Sequence, residues 1–296
     1  MEIKKLSPQG YCGGVKRALK IIIDAQNNPS IKKPIYMLGN IIHNKSVIKK
    51  LNELGIKSVD GKKNRLELLD EIESGTVVIS AHGASPDVFK KAKKKGLNII
   101  DATCPNVYVV HNNIKKYLNN DFNIIYIGTK GHPEAEGVLG ISSKIFLVSN
   151  LDDIENLKIA EPIYVTNQTT LSVYDIKDIF NAIKIKYSNA IIEDKICNAT
   201  TLRQKAIMNQ KADLCIVVGD KTSSNSFKLQ QVCQNNAHIK SYLVENETEL
   251  DDNWFKNVNT VSITSGASTP PEVTQAVIEK IKMISKWYHF FGYTKF

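Results

Sequence analysis

The sequence predicts an α/β protein of three similar lobes, each with a mainly parallel sheet, in a pseudo-threefold arrangement around one shared centre. Three observations lead there. Cys12, Cys104 and Cys197 divide the 296 residues into near-equal thirds, and each opens a comparable phrase, YCGGVKRAL, TCPNVYVV and ICNATTLRQ. Each third holds two apolar runs that end in polar loops. Those runs are uninterrupted rather than alternating, and helical patterns separate them, as in sheets built from βαβ units and covered on both faces. The lobes are expected at 1–103, 104–196 and 197–296, the last carrying an aromatic tail.

In the first lobe, PIYMLGNIIHN (34–44) and VVISAHGAS (77–85) read as strands running into loops. PDVFKKAKKKG reads as a helix, and LNIID as a short strand arriving at Cys104. The second lobe repeats this with IIYIGTKGHPE (124–134), IYVTNQTTLS (163–172), the helical SVYDIKDIFNAIKIKY, and AIIED leading to Cys197. In the third, CIVVGDKTSSNS (215–226) and VSITSGASTP (261–270) are the strand–loop pairs, and PPEVTQAVIEKIKMI is the helix. The closing KWYHFFGYTKF is expected to pack over a lobe. Ligands of parallel sheets gather outside the carboxyl ends of the strands. The cysteines, His43, His82, His132, Thr169, Ser223 and Ser268 are therefore expected around one crevice.

Composition narrows the class. A chain of this length that is 42% hydrophobic can bury a large core. It has no run of about 18 apolar residues, so no membrane span is expected. The opening MEIKKLSPQG has no apolar signal segment, which predicts a cytoplasmic protein. Five cysteines are too few for a disulfide framework. Cys215 in ADLCIVVG and Cys233 in KLQQVCQN are expected as small buried hydrophobes. The net charge of +9 includes Lys90, Lys91, Lys93, Lys94 and Lys95, read as a solvated helix face. Without interleaved aromatics it does not suggest nucleic acid; it suits an anionic ligand or an acidic redox partner.

Three thiolates can hold zinc, but catalytic zinc adds a nitrogen ligand and structural zinc favours C-x-x-C pairs, neither of which is present. A cubane iron–sulfur cluster with three cysteines leaves one iron open, able to act as a Lewis acid and pass electrons. The fold class is thus three lobes around a central iron–sulfur cluster. His43, His82, Ser223, Ser224, Asn225 and Ser268 supply donors suited to a group with many oxygens, such as a diphosphate. Glu134, fixed after a proline in GHPEAEG beside His132, is the expected proton donor, because desolvation favours its protonated form. Thr169 can relay that proton. His111, His238 and His289 are read as structural.

Together GYCGGVKRA, GNIIHN, SAHG, DATCP, GHPEAEG, NQTTLS, CNATTLRQ, SSNS and GAS resemble, in order and over nearly the whole chain, the 4-hydroxy-3-methylbut-2-enyl diphosphate reductase (LytB) family. The resemblance implies a 4Fe–4S cluster on Cys12, Cys104 and Cys197, with the fourth iron open to an allylic diphosphate substrate. It implies two-electron removal of the allylic hydroxyl, giving isopentenyl and dimethylallyl diphosphates, the last step of the non-mevalonate isoprenoid route. Gln168 and Thr200 would line the site, and His132 and Thr169 would stand near the reacting end. Ferredoxin or flavodoxin would supply electrons. Two other readings are a carboxylate-processing three-cysteine dehydratase, which would call for Arg or Lys forks, and a cluster-based sensor binding nucleic acid through its charge.

Overall fold

The computed structural model describes residues 1–61 and 63–291, with side chains as far as Trp287. The end of the aromatic tail and the side chain of His289 lie outside the described residues. In chain order the strands are β1 (Glu2–Lys5), β2 (Ile35–Leu38), β3 (Lys57–Val59), β4 (Thr76–Ile79), β5 (Asn98–Asp101), β6 (Asn123–Ile127), β7 (Ile145–Val148), β8 (Ile163–Asn167), β9 (Ile191–Ile192), β10 (Leu214–Val218), β11 (Lys240–Val244) and β12 (Thr260–Ser265). They form three four-stranded sheets ordered β3-β2-β4-β5, β7-β6-β8-β9 and β11-β10-β12-β1. Every pairing among the described residues is parallel. Two compact units result. Residues 13–197 hold the first two sheets, and 1–12 with 198–296 hold the third.

The uninterrupted apolar runs are explained by cover on both faces. On β6, Ile125 and Ile127 pack against Ile179 and Ile183 of the helix Asp175–Lys186. Their alternates Ile124 and Tyr126 face Val110 and Ile114 of the helix Pro105–Leu118. Neither face of that strand sees water, so both alternating positions are apolar. The expected helices stand at Pro86–Lys94, Asp175–Lys186 and Pro271–Phe291. Cys215 on β10 and Cys233 in the turn after the helix Ser224–Gln231 are both fully buried.

One strand lies apart from the spacing of thirds. EIKK is polar, and β1 is an edge strand paired from Glu2↔Thr260 to Lys5↔Ile263. The chain's beginning thus completes the sheet of its last third. With β1 in place the three sheets share one order: second strand, first, third, fourth. In each, the fourth strand leads to a cysteine, β5 to Cys104, β9 to Cys197 and β1 to Cys12. The repeat is closed by cyclic permutation.

The lysine cluster is not uniformly solvated. Lys91 donates to Leu66 O at 2.6 Å and pairs with Asp70 at 2.7 Å, while Lys95 donates to Leu69 O at 2.7 Å. Lys91 thus reaches a carbonyl of the short helix Arg65–Leu68 and Lys95 the carbonyl just after it, contacts that the sequence pattern does not reveal.

Candidate active site

In each sheet the first strand connects in one direction and the third in the other, so a switch point lies between these neighbours. The loops after β2 and β4, β6 and β8, and β10 and β12 flank the three switch points. Within residues 13–197 two of them bring three imidazoles together. Ring centroids lie 4.8 Å apart for His43 and His82, 5.3 Å for His82 and His132, and 5.9 Å for His43 and His132. The Nδ1 of His132 accepts from the Glu134 backbone N–H at 3.1 Å. That bond assigns the neutral ring's proton to Nε2. The Nε2 atoms of His82 and His132 are buried without a hydrogen-bond partner, a cost of about 1–3 kcal/mol each unless a ligand oxygen satisfies them.

Burial, then mutual repulsion, holds His82 well below its usual range and His132 at about 3. These two rings are neutral, so positive charge beside them comes from another side chain. Arg65, missed by sequence reading, is buried and donates to the Gly83 carbonyl and, at 2.8 Å, to Ser80 Oγ. Burial lowers its pKa only to about 10, so it remains a cation beside the histidine loops at neutral pH. Its only sequence context is a polar capping box, Asn64 with Glu67, which gives no sign of burial.

Glu134 is fully buried in the first turn of the helix Pro133–Leu139. Its Oε1 accepts from the Thr169 N–H at 2.8 Å and faces the Tyr126 hydroxyl at 3.4 Å; its Oε2 accepts from Thr169 Oγ1 at 2.9 Å. These donors favour the carboxylate, but desolvation opposes them and wins, raising the pKa to about 7. A carboxylic acid that retains its proton near neutrality, touching a threonine hydroxyl, has the chemistry to give a proton up through that hydroxyl. Tyr126, also missed by sequence reading, serves it from β6 inside an apparently ordinary apolar run. Gln168 is fully buried and braces loops: its Oε1 accepts from Thr129 N at 3.0 Å and its Nε2 donates to Thr170 Oγ1 at 2.9 Å.

In the other unit, Ser223 caps the helix Ser224–Gln231, and Ser226 presses against the turns after β10 and β12. A Cβ on Gly219 or Gly266 would stand 2.3 or 2.1 Å from Ser226 Oγ, so glycine alone permits this approach. Asn225 Oδ1 accepts from Thr200 Oγ1 at 3.4 Å, and Asn225 Nδ2 is a buried donor lacking an acceptor. Ser223 and Ser268 are buried and Ser224 half-buried. Arg203, quoted within CNATTLRQ but given no role, is buried and ties the Gly10, Ala199 and Ser265 carbonyls at 2.6, 2.8 and 3.2 Å. It thereby fixes the loop that ends at Cys12.

The three cysteines are half-buried and occupy equivalent places in their own lobes. Each N–H donates at 3.0 Å to the loop after a third strand: Cys12 to Ala267 O, Cys104 to Ala81 O and Cys197 to Thr169 O. This register aligns Thr169 with Ala81 and Ala267, and Thr170 with His82 and Ser268, so Thr169, expected at the crevice with His82 and Ser268, stands one residue before their place. Cys104 caps the helix Pro105–Leu118, and Cys197 and Cys12 directly precede helices. One half-buried thiol in the equivalent place of each lobe is a donor set that fits an iron–sulfur group.

A sheltered acid, neutral imidazole donors and helix-start thiols suit the reduction of an anionic molecule, which is the province of iron–sulfur oxidoreductases. A family model described as LytB protein matches residues 3–282. The 4-hydroxy-3-methylbut-2-enyl diphosphate reductase of Geobacillus kaustophilus is 49% identical over 283 residues, covering 94% of this chain and 89% of that protein. The structure of E-1-hydroxy-2-methyl-but-2-enyl-4-diphosphate reductase from Plasmodium falciparum aligns with a TM-score of 0.87 at 34% identity, covering 94% of this chain and 87% of that one. A structure of (E)-4-hydroxy-3-methyl-but-2-enyl diphosphate reductase, described as the terminal enzyme of the non-mevalonate pathway, aligns at 0.67 with 32% identity, covering 96% and 100%. The chain belongs to the LytB family. Among the described residues, no helix is long and apolar enough to cross a membrane.

Proposed function

We propose that the chain reduces (E)-4-hydroxy-3-methylbut-2-enyl diphosphate to isopentenyl and dimethylallyl diphosphates, in the cytoplasm, with ferredoxin or flavodoxin as electron source. The allylic C–O bond breaks, two electrons and two protons enter, and water leaves. The ligands assigned to a 4Fe–4S cluster are Cys12, Cys104 and Cys197. When bound, such a cluster supplies electrons and a Lewis-acidic iron open to substrate.

The chain's own residues do the rest. The observation that carries the reading is Glu134, buried, with a pKa raised to about 7 and hydrogen-bonded to Thr169. Protonated, it makes the departing group water rather than hydroxide, with Thr169 Oγ1 passing the proton on. The orphan Nε2 atoms of His82 and His132 are donors for substrate oxygens, with His43 beside them and Arg65 as the fixed charge. Ser223, Ser224, Asn225 and Ser268 are assigned to the diphosphate, with Thr200 orienting Asn225.

Anaerobic reconstitution with iron and sulfide, followed by turnover driven by reduced methyl viologen, tests the reading. Two electrons consumed per diphosphate product are expected. Reconstituted protein that leaves both dye and substrate unchanged would refute it.

A further inference from the structure

We infer that the face shared by the helices Pro86–Lys94 and Pro105–Leu118 docks an acidic one-electron carrier protein, which delivers electrons beside Cys104. The inference rests on the proposed cluster ligation by Cys104. Two successive encounters, each oxidising one reduced carrier by one electron, supply the two electrons that C–O cleavage consumes.

The geometry begins with two helical stripes. Phe89 and Lys90 on one helix, and Tyr108, His111 and Lys115 on the other, line an open cleft of about 390 Å³. Gly83 and Thr103 also line it. Thr103 directly precedes Cys104, and the Tyr108 N–H donates to the Cys104 carbonyl at 3.1 Å. The wall of the cleft is therefore one peptide from the thiol, a short route for an electron.

Charge identifies the occupant. Lys90, Lys93, Lys94 and Lys115 are exposed, and spacings of three and four residues keep Lys93 and Lys94 near the Phe89–Lys90 side of their helix. Arg17, also exposed, donates to Thr103 O at 2.9 Å. The carboxylates here are engaged: Asp87 pairs with Lys90 at 3.0 Å, and Asp101 accepts from the Tyr108 hydroxyl. Lys91 and Lys95 turn away onto the Arg65–Leu68 segment, so the lysine run is split between a structural pair and an exposed group. Tyr108 lines the cleft and is 38% exposed. An exposed aromatic beside mainly basic side chains is the pattern of brief, electrostatically steered redox encounters.

The test compares a protein donor with a small dye that needs no docking. Turnover of the reconstituted enzyme is measured with reduced flavodoxin and with reduced methyl viologen, for the wild type, K90E/K115E, and the double reversal K177E/K184E on the helix Asp175–Lys186, which covers the face of β6 opposite the helix Pro105–Leu118. In K90E/K115E the flavodoxin kcat/KM is expected to fall by about tenfold or more, through KM, with weaker dependence on salt. Dye-driven kcat is expected to stay unchanged in all three proteins, which also shows that the variants fold. Unchanged flavodoxin kinetics in K90E/K115E, or an equal loss in K177E/K184E, overturns the assignment of this face. A wild type inactive even with the dye refutes the proposed reaction instead.

Discussion

Replacing Glu134 with Gln removes the titrating group and keeps one of the two oxygens that accept from Thr169. In the native site desolvation lifts the carboxyl from its usual 4.5 to about 7 against three donors. That displacement corresponds to about 3 kcal/mol. Glu134 holds its proton more tightly folded than unfolded, so its stabilising contribution is complete below about 4.5 and gone once the pH passes about 7. Gln titrates nowhere in this range. Relative to wild type, the stability of E134Q should therefore grow by about 3 kcal/mol between pH 4.5 and pH 8, read by anaerobic urea unfolding. Dye-driven kcat should fall by about 10²–10⁴-fold, the usual share of a positioned general acid. The wild-type rate should decline above about pH 7 as Glu134 deprotonates, and the residual E134Q rate should lack that limb. A stability difference independent of pH, together with an unchanged alkaline limb, would show that Glu134 is neither the titrating group nor the acid.

Other expectations follow from the same contacts. Thr169→Val deletes a donor to the Glu134 carboxylate, so the alkaline limb should move to higher pH while the rate falls; a downward shift contradicts the relay. Arg65→Met leaves the Gly83 carbonyl and Ser80 Oγ without their donor and should cost about 1.5–3 kcal/mol. It also removes a cation that depresses His82 and His132, so their ring resonances should titrate at higher pH by NMR. Arg203→Met frees the Gly10 carbonyl and should lower cluster content more than it lowers the circular dichroism signal. Cys197→Ser should abolish the visible absorbance of the reconstituted cluster; a full signal there sinks the three-ligand assignment.

The strands and loops were legible because cover on both faces writes itself as unbroken apolar runs, as on β4, β6 and β10. The polar loops were legible because a parallel sheet puts its ligand-facing turns after its strands. β1 was not, since an edge strand beside one neighbour can be as polar as EIKK. Its absence hid the permutation that makes Cys12 equivalent to the other two cysteines. Arg65 and Tyr126 escaped for a different reason. A buried cation and a buried phenol are defined by partners that other segments supply, Gly83 for one and Glu134 for the other. The one-residue shift between Thr169 and Thr170 escaped because backbone hydrogen bonds, rather than residue type, set the register of these loops.

The strand that closes the third sheet is the first made and the last paired. Contacts such as Gln9 with the Ile263 carbonyl span 254 residues of chain. At translation rates of about 5–20 residues per second, the opening segment waits on the order of 10–50 s for its partner strand to exist. Residues 13–197 form their own compact unit and can settle meanwhile, with Cys104 and Cys197 already in place. Cys12 is thus the last thiol to be fixed, and the polar composition of β1 keeps the waiting segment from offering a sticky edge. The thiol trio is therefore completed only once β12 and the Ala267 carbonyl that holds the Cys12 N–H have been made.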